Sequence, residues 1–146
     1  MLWKKVQKFL KENGLTVAIV LGLVIAYAAL HTRGDQFASM AELEARLASG
    51  EPTVIEFYSN TCSICLIAKP QVDRLERDLA GRATVLRLSV VDSVGRALAS
   101  RWGVRGLPTF VVVDGAGHPT YAQAGMPDID ALHAAVDALV LEARRP

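Results

Sequence analysis

Two cysteines, Cys62 and Cys65, stand two residues apart between an apolar run and a segment with helical spacing. The apolar run, residues 53–58 (TVIEFY), has the β-branched and aromatic composition of a buried strand. A strand that leads into Cys-x-x-Cys at the start of a helix is typical of a redox site. In the segment after the cysteines, apolar residues recur every three or four positions, at Ile64, Ile67, Ala68, Val72, Leu75 and Leu79.

The start of this helix predicts different roles for the two cysteines. Cys65 lies about one helical turn after Cys62 and on the same face, so the two sulfurs can come within bonding distance. The unpaired amides at a helix N-terminus stabilise a thiolate at Cys62, which we expect to be the attacking nucleophile. Cys65 would then resolve the mixed disulfide. The alternatives are a static disulfide or two unrelated core residues, but a disulfide closing so short a loop constrains the unfolded chain little.

Residues 15–30 (LTVAIVLGLVIAYAAL) contain no charged residue. At about 1.5 Å per residue, the uncharged window 13–31 is just long enough to cross the roughly 30 Å hydrocarbon core of a bilayer. The first 13 residues carry four lysines against one glutamate, and the positive-inside rule places them in the cytoplasm. We therefore predict a basic cytoplasmic N-terminus (1–13), a transmembrane signal-anchor helix (14–31), a linker (32–38) and an exported domain (39–146).

Two alternatives to the anchor remain at this point. The lysine-rich start, the apolar stretch and the pair Ala26 and Ala28 also fit a cleaved signal peptide, although the apolar stretch slightly exceeds the usual length of a signal core. A buried core helix is the other alternative, but 16 residues that are apolar all round are hard to place in so small a domain. Either membrane interpretation exports the cysteines to a compartment, such as the periplasm, that permits disulfides.

Charge and ligand spacing exclude two classes of function. Beyond the N-terminal segment the arginines are scattered, and Lys69 is the one lysine, so no basic stripe for nucleic acid is present. His31, His118 and His133 lie far from the cysteines and show no zinc-ligand spacing. We expect neither a nucleic-acid partner nor a metal site, and no cofactor.

The remaining pattern predicts an alternating order of helices and strands. A Ser-x-x-Glu capping box at Ser39 opens a helix to about residue 49. After the strand 53–58 and a helix over 62–80 that contains Pro70, we predict a strand at 84–91 and a helix at 94–102 capped by Ser93. Strands at 109–113 and 118–124 and a final amphipathic helix complete the order α-β-α-β-α-β-β-α. This order implies an α/β fold with a central mixed sheet flanked by helices on both faces.

Three stretches, EFYSNTCSICLIAKP, WGVRGLPTFVVVD and Gly125 before the last helix, resemble the thioredoxin family, and the resemblance covers about residues 36–143. Cys-x-x-Cys with a proline five residues later and a Gly-x-Pro-Thr further on is a specific combination. The resemblance implies the thioredoxin-like three-layer fold, here preceded by one transmembrane helix. It also implies a cis-proline at Pro108 packed against the cysteine pair, with substrate contacts at Leu107, Pro108 and Thr109.

Glu56 interrupts the apolar strand at the position where thioredoxins usually carry a buried aspartate. An acid buried there would have a raised pKa and could accept the proton of Cys65, which makes Glu56 a third candidate catalytic residue. Alternatively, Glu56 lies at a solvated strand end or pairs with an arginine. The sequence departs from the family at Thr61, where a tryptophan is usual, and at Ser63 and Ile64 between the cysteines, so the direction of electron flow does not carry over.

The sequence thus predicts a membrane-tethered thiol–disulfide oxidoreductase, a single-pass protein of the cytoplasmic membrane whose domain faces the periplasm or exterior. The expected partners are disulfide-containing proteins at the membrane surface, which it would reduce, and a membrane electron donor that recharges it. A disulfide oxidase or isomerase is the enzymatic alternative. A Cu(I)-binding delivery module on the same fold is the alternative from another class.

Overall fold

The computed structural model describes residues 2–145 and divides the chain into two compact units, residues 1–32 and 33–146. The first unit is helix α1, Leu2–Leu30, whose backbone leaves the helical region at Asn13 (φ −121°, ψ 19°). Among the described residues, one stretch is long and apolar enough to cross a bilayer, Asn13–Leu30, and none of it is buried. This helix is a candidate membrane span.

The second unit has the predicted order of elements. Helices α2–α5 and strands β1–β4 occupy α2 Met40–Leu47, β1 Thr53–Tyr58, α3 Ser63–Leu79, β2 Thr84–Ser89, α4 Ser93–Arg101, β3 Thr109–Val113, β4 Pro119–Ala124 and α5 Ile129–Ala143. The first and third strands begin and end at the predicted residues. One predicted cap is wrong: Asp92, and not Ser93, is the N-cap of α4.

The four strands form one mixed sheet in the order β2-β1-β3-β4. Strand β1 pairs parallel with β2 and antiparallel with β3, and β4 pairs antiparallel with β3 at one edge. The parallel pair is joined through α3, as a crossover connection requires. The mixed sheet predicted from the element order is therefore confirmed.

Alternation along the central strand β1 builds a core on both faces of the sheet. Ile55 and Phe57 belong to a buried cluster with residues of α2 and α4, whereas Val54 belongs to a second cluster with residues of α3 and α5. Helices therefore cover both faces, as the sequence predicted. Glu56 follows Val54 by two residues, so it shares the face that α3 covers.

Helix α3 buries one stripe and exposes part of the apolar pattern read from the sequence. Its buried residues are Cys65, Ala68, Val72, Leu75 and Leu79. Ile64 is 45% and Ile67 65% exposed, so these two do not belong to the core stripe. Pro70 lies inside the helix without ending it.

The two edges of the sheet are constrained in different ways. At the β2 edge, the backbone amide of Asp35 donates to the Arg87 carbonyl (2.9 Å), and the Arg87 amide donates to the Asp35 carboxylate (2.8 Å). Asp35, in the expected linker, is thus fixed to the sheet. At the opposite edge, strand β4 begins with Pro119, which has no amide proton to donate.

Candidate active site

Cys62 occupies the N-cap of α3 at the end of a short turn. Its backbone is extended (φ −89°, ψ 113°), and its amide donates to the Ser59 carbonyl at 3.1 Å. The Ser59 hydroxyl accepts from the Thr61 amide at 3.3 Å and lies 2.9 Å from the Thr61 hydroxyl. Thr61, at the position where a tryptophan is usual in thioredoxins, belongs here to a small hydrogen-bonded turn. The turn ends at Cys62, directly before the first residue of α3.

The Cys62 sulfur performs the capping function that a serine or aspartate oxygen normally performs. The Cys65 amide donates to the Cys62 sulfur at a distance of 3.3 Å. An amide hydrogen bond and the positive end of the helix dipole thus meet at this sulfur. Cys62 therefore has the surroundings of a nucleophile.

Cys65 has the opposite surroundings. Both cysteines are free thiols, but Cys62 is partly exposed whereas Cys65 is buried with 3% of its surface accessible. Burial, together with a hydrogen bond to Cys62, raises the pKa of the Cys65 thiol to about 12. Cys65 thus stays protonated near neutral pH, and any step in which it attacks requires a base.

The loop before β3 lies against the first cysteine. The Leu107–Pro108 peptide bond is cis, as the resemblance implied, and the Cys62 thiol donates to the Leu107 carbonyl at 3.7 Å. The Pro108 carbonyl accepts from the Gly125 amide at 2.8 Å, which anchors the loop to the end of β4. The loop therefore holds a backbone carbonyl beside the reactive sulfur.

Thr109 and Leu107 contribute to this loop in different ways. Thr109 is buried, and its hydroxyl donates to the Gly106 carbonyl at 2.7 Å, which closes the turn. Leu107 is partly exposed and borders a groove of about 350 Å³ that Val90, Val104 and Arg105 also line. A substrate can thus reach Leu107, whereas the Thr109 hydroxyl is already engaged within the loop.

Glu56 is buried in the middle of β1, and only 2% of its surface is accessible. Burial raises the pKa of its carboxyl from about 4.5 to about 7, although the Arg87 guanidinium opposes the shift. The charge of Glu56 also adds to the raised pKa of Cys65, after burial and the hydrogen bond to Cys62. The two groups are therefore electrostatically coupled. The alternative of a solvated strand end is wrong, because Glu56 is buried. The other alternative, pairing with an arginine, is met only by the proximity of Arg87, since no hydrogen bond joins Glu56 Oε2 to it.

Arg87 is the site residue that sequence reasoning missed. It stands opposite Glu56 in the β1–β2 register, its side chain is 9% exposed, and its Nε lies 3.8 Å from a Glu56 oxygen. Like Glu56, it is a single charged residue inside an apolar strand. That signal was visible in the sequence, but the pairing of the two depends on the strand register.

Among the residues the structure describes, no group of three or more His, Cys, Asp or Glu side chains could hold a metal ion. The thiols that the chain offers to a Cu(I) ion are those of Cys62 and Cys65.

Known proteins resemble this chain in sequence. The family model described as Thioredoxin matches residues 36–138. The thioredoxin-like protein HCF164, chloroplastic, of Oryza sativa subsp. japonica is 30% identical over an alignment of 110 residues that covers 71% of this chain and 42% of that protein. The thiol:disulfide interchange protein TxlA of Synechococcus elongatus is 29% identical over an alignment of 136 residues that covers 88% of this chain and 71% of that protein.

A solved structure of a thioredoxin also resembles this chain in fold. A mutant thioredoxin from Halobacterium salinarum NRC-1 superimposes with a TM-score of 0.58 and 29% identity, over 68% of this chain and 84% of its own. The present chain spans less than half the length of the chloroplast relatives from rice and from Arabidopsis thaliana.

Proposed function

The chain belongs to the thioredoxin family of thiol–disulfide oxidoreductases, and we propose that it is a membrane-tethered member that reduces disulfides of extracytoplasmic partner proteins. The observation that carries this proposal is the position of the Cys62 sulfur. It accepts a hydrogen bond from the Cys65 amide at the start of α3, and it lies beside the Leu107 carbonyl. An extended segment of a partner protein can dock at this carbonyl.

In the first step the Cys62 thiolate attacks one sulfur of the partner disulfide. A Cys62–partner bond forms, the partner's S–S bond breaks, and the second partner sulfur leaves as a thiolate that takes up a proton. The Leu107 carbonyl and the exposed side chain of Ile64 offer the partner backbone and apolar contacts next to the reacting atoms.

In the second step Cys65 displaces the partner. Its thiol must lose a proton, because burial and the hydrogen bond to Cys62 raise its pKa to about 12. The Glu56 carboxylate, whose pKa burial raises to about 7, is the proposed acceptor of that proton. The Cys65 sulfur then attacks the Cys62 sulfur, the mixed disulfide breaks, and the partner leaves as a dithiol. The oxidised Cys62–Cys65 pair requires two electrons from a donor, for which we propose a membrane dithiol protein.

The N-terminal helix is the proposed tether. Residues 1–13 would form a basic cytoplasmic segment, 14–31 a signal-anchor span, 32–38 a linker and 39–146 the catalytic domain in the periplasm or exterior. The uncharged candidate span and the four lysines before it support this arrangement. A tether of this kind raises the effective concentration of partners at the membrane surface.

The reduction potential of the Cys62–Cys65 couple tests the proposal. The full-length protein in detergent is equilibrated against dithiothreitol buffers of defined ratio, and free thiols are alkylated and counted by mass. We expect a value near that of thioredoxin, about −270 mV. A value near about −120 mV would identify an oxidant instead and contradict the reductase assignment. Absence of a reversible couple would contradict any exchange function and leave the Cu(I) module, which retention of one Cu(I) per reduced protein would detect.

A further inference from the structure

A cluster of charged side chains links the sheet to helix α3. Glu56 of β1 and Arg87 of β2 stand side by side in the sheet, and Lys69, Asp73 and Glu76 of α3 face them. Arg87 is mostly buried, so the placement of its guanidinium is decided by its protein partners more than by water.

The terminal nitrogens of Arg87 are directed to the helix. Nη1 lies 2.7 Å from Asp73 Oδ1, and Nη2 lies 2.8 Å from Glu76 Oε2, both within hydrogen-bonding distance. Towards Glu56, Arg87 Nε lies 3.8 Å from Oε2, which is too long for a hydrogen bond. The Glu56 Oε2 atom is buried and has no hydrogen-bond partner.

Asp73 also forms an ion pair with Lys69, the second cation of the cluster. Lys69 Nζ lies 2.8 Å from Asp73 Oδ2, one helical turn away. The single carboxylate of Asp73 thus binds both cations, Lys69 of its own helix and Arg87 of the sheet. Glu56, on the sheet side, is left with a nearby cation that it does not bond.

Resting on the function proposed above, we infer that Asp73, assisted by Glu76, is a positioning residue that holds Arg87 on α3 and thereby leaves the Glu56 carboxyl free to take and release the proton of Cys65. A bidentate Arg87–Glu56 pair would instead hold Glu56 ionised and hydrogen-bonded, which would make it a weak proton acceptor.

The charge balance around Glu56 supports this inference. The four charged neighbours, two cations and two anions, sum to zero, so an ionised Glu56 would be an uncompensated buried charge. Strand β3 on its other side (TFVVV) contains no ionisable residue. Burial therefore dominates, and the pKa of Glu56 rises to about 7 despite the nearby Arg87. The titratable and charged groups that face or couple to Glu56 are Tyr58 of β1, Arg87 of β2, and Cys65, Lys69, Asp73 and Glu76 of α3.

The test is the Asp73→Asn substitution in the full-length protein in detergent. The variant removes a negative charge near Glu56 and releases Arg87 Nη1, and both changes favour ionised Glu56. NMR follows the titration of the Glu56 side-chain ¹³C signal, which is assigned by its loss in Glu56→Gln. We expect the midpoint of this titration to fall by about one pH unit or more in Asp73→Asn. The pH profile of mixed-disulfide resolution should move to lower pH by a similar amount.

Matched variants separate this effect from a general loss of charge. Asp78→Asn removes an exposed carboxylate from the same helix and should leave the midpoint unchanged. Asp73→Glu keeps the charge and should restore most of the wild-type midpoint. Glu76→Gln releases Arg87 Nη2 and should lower the midpoint in the same direction, and it decides the question if Asp73→Asn does not fold.

An unchanged or higher Glu56 midpoint in a folded Asp73→Asn or Glu76→Gln variant would overturn the inference. The NMR titration does not require turnover, so its result is independent of the proposed function. That function would be contradicted by Cys62→Ser retaining exchange activity, whatever the Glu56 midpoint.

Discussion

Cys62 and Cys65 differ in exposure and in hydrogen bonding, and this difference separates their chemical steps. Cys62 is partly exposed and accepts an amide hydrogen bond, whereas Cys65 is buried. A partner can therefore meet Cys62 first, and Cys65 can act only on a bond that Cys62 has already formed.

We expect Cys65→Ser to accumulate a covalent complex with a disulfide-bonded peptide, because the first step proceeds and the second cannot. Cys62→Ser should form no such complex, since the remaining thiol is buried and protonated. Mass spectrometry after acid quenching under non-reducing conditions measures both. Trapping by Cys62→Ser and not by Cys65→Ser would reverse the assignment of nucleophile and resolving cysteine.

Glu56 should make the stability of the folded domain depend on pH. Burial raises its pKa from about 4.5 to about 7, so the folded state retains a proton that the unfolded state releases between these values. Stability should therefore fall as pH rises through this window and level off above it. The shift corresponds to about 3 kcal/mol. Between pH 4 and pH 8, the free energy of unfolding of Glu56→Gln should therefore rise by up to that amount relative to that of wild type.

Urea denaturation followed by tryptophan fluorescence measures this difference. Glu142→Gln, which changes an exposed residue near the end of α5, is the matched control and should follow the wild-type pH dependence. If wild type and Glu56→Gln lost the same free energy of unfolding between pH 4 and pH 8, Glu56 would not be the titrating group.

At the level of secondary-structure elements, helix α4 crosses close to the end of β2 because Gly95 has no side chain. A β-carbon at Gly95 would overlap the Ser89 carbonyl, which belongs to backbone and cannot move aside. In an exposed helix Gly→Ala usually stabilises by up to about 1 kcal/mol. Gly95→Ala should instead destabilise the domain by roughly 2 kcal/mol or more.

Gly106→Ala is the control for this prediction, since a β-carbon there meets no atom within 4 Å. Thermal or urea unfolding compares the two variants with wild type. A Gly95→Ala variant as stable as Gly106→Ala would show that α4 can move away from β2 at little cost.

The elements were predictable where local patterns decide them. The strands 53–58 and 109–113 are short apolar runs bounded by Pro, Gly or polar turns, and their limits follow from those signals. Strand β2 ends at Ser89, two residues before the predicted end, because the chain turns towards α4 while the apolar pattern continues. Val91 is accordingly 62% exposed. The N-cap of α4 was misplaced because Asp92 and Ser93 are both good capping residues.

The candidate site was predictable to the extent that its residues are close in sequence. Cys62 and Cys65 belong to one turn and helix, and their arrangement follows from spacing. The partners of Glu56 depend on the parallel register of β1 with β2 and on the rotation of α3 above them. Both are consequences of long-range packing, and for this reason Arg87 and Asp73 could not be assigned from the sequence.

For the whole molecule, the proposed topology predicts where a protease can reach the chain. In spheroplasts of a bacterium expressing the protein with a C-terminal tag, added protease should remove the tag without lysis. The protein should remain with the membrane after carbonate washing and keep its full mass, because an anchor is not cleaved. A tag that is protected until lysis would contradict the orientation, and a shortened protein released by carbonate would favour a cleaved signal peptide. A cytoplasmic protein that is digested only after lysis is the internal control.

The sheet edges described above have a consequence for the proposed tethered arrangement. Copies tethered in that way would share one orientation in the membrane plane, and open strand edges would invite them to join into continuous intermolecular sheets. Asp35 covers backbone groups at the centre of β2, and Pro119 removes a donor from β4. Under the proposed tether, these two features would disfavour self-association through the sheet edges while the domain is concentrated at the membrane surface.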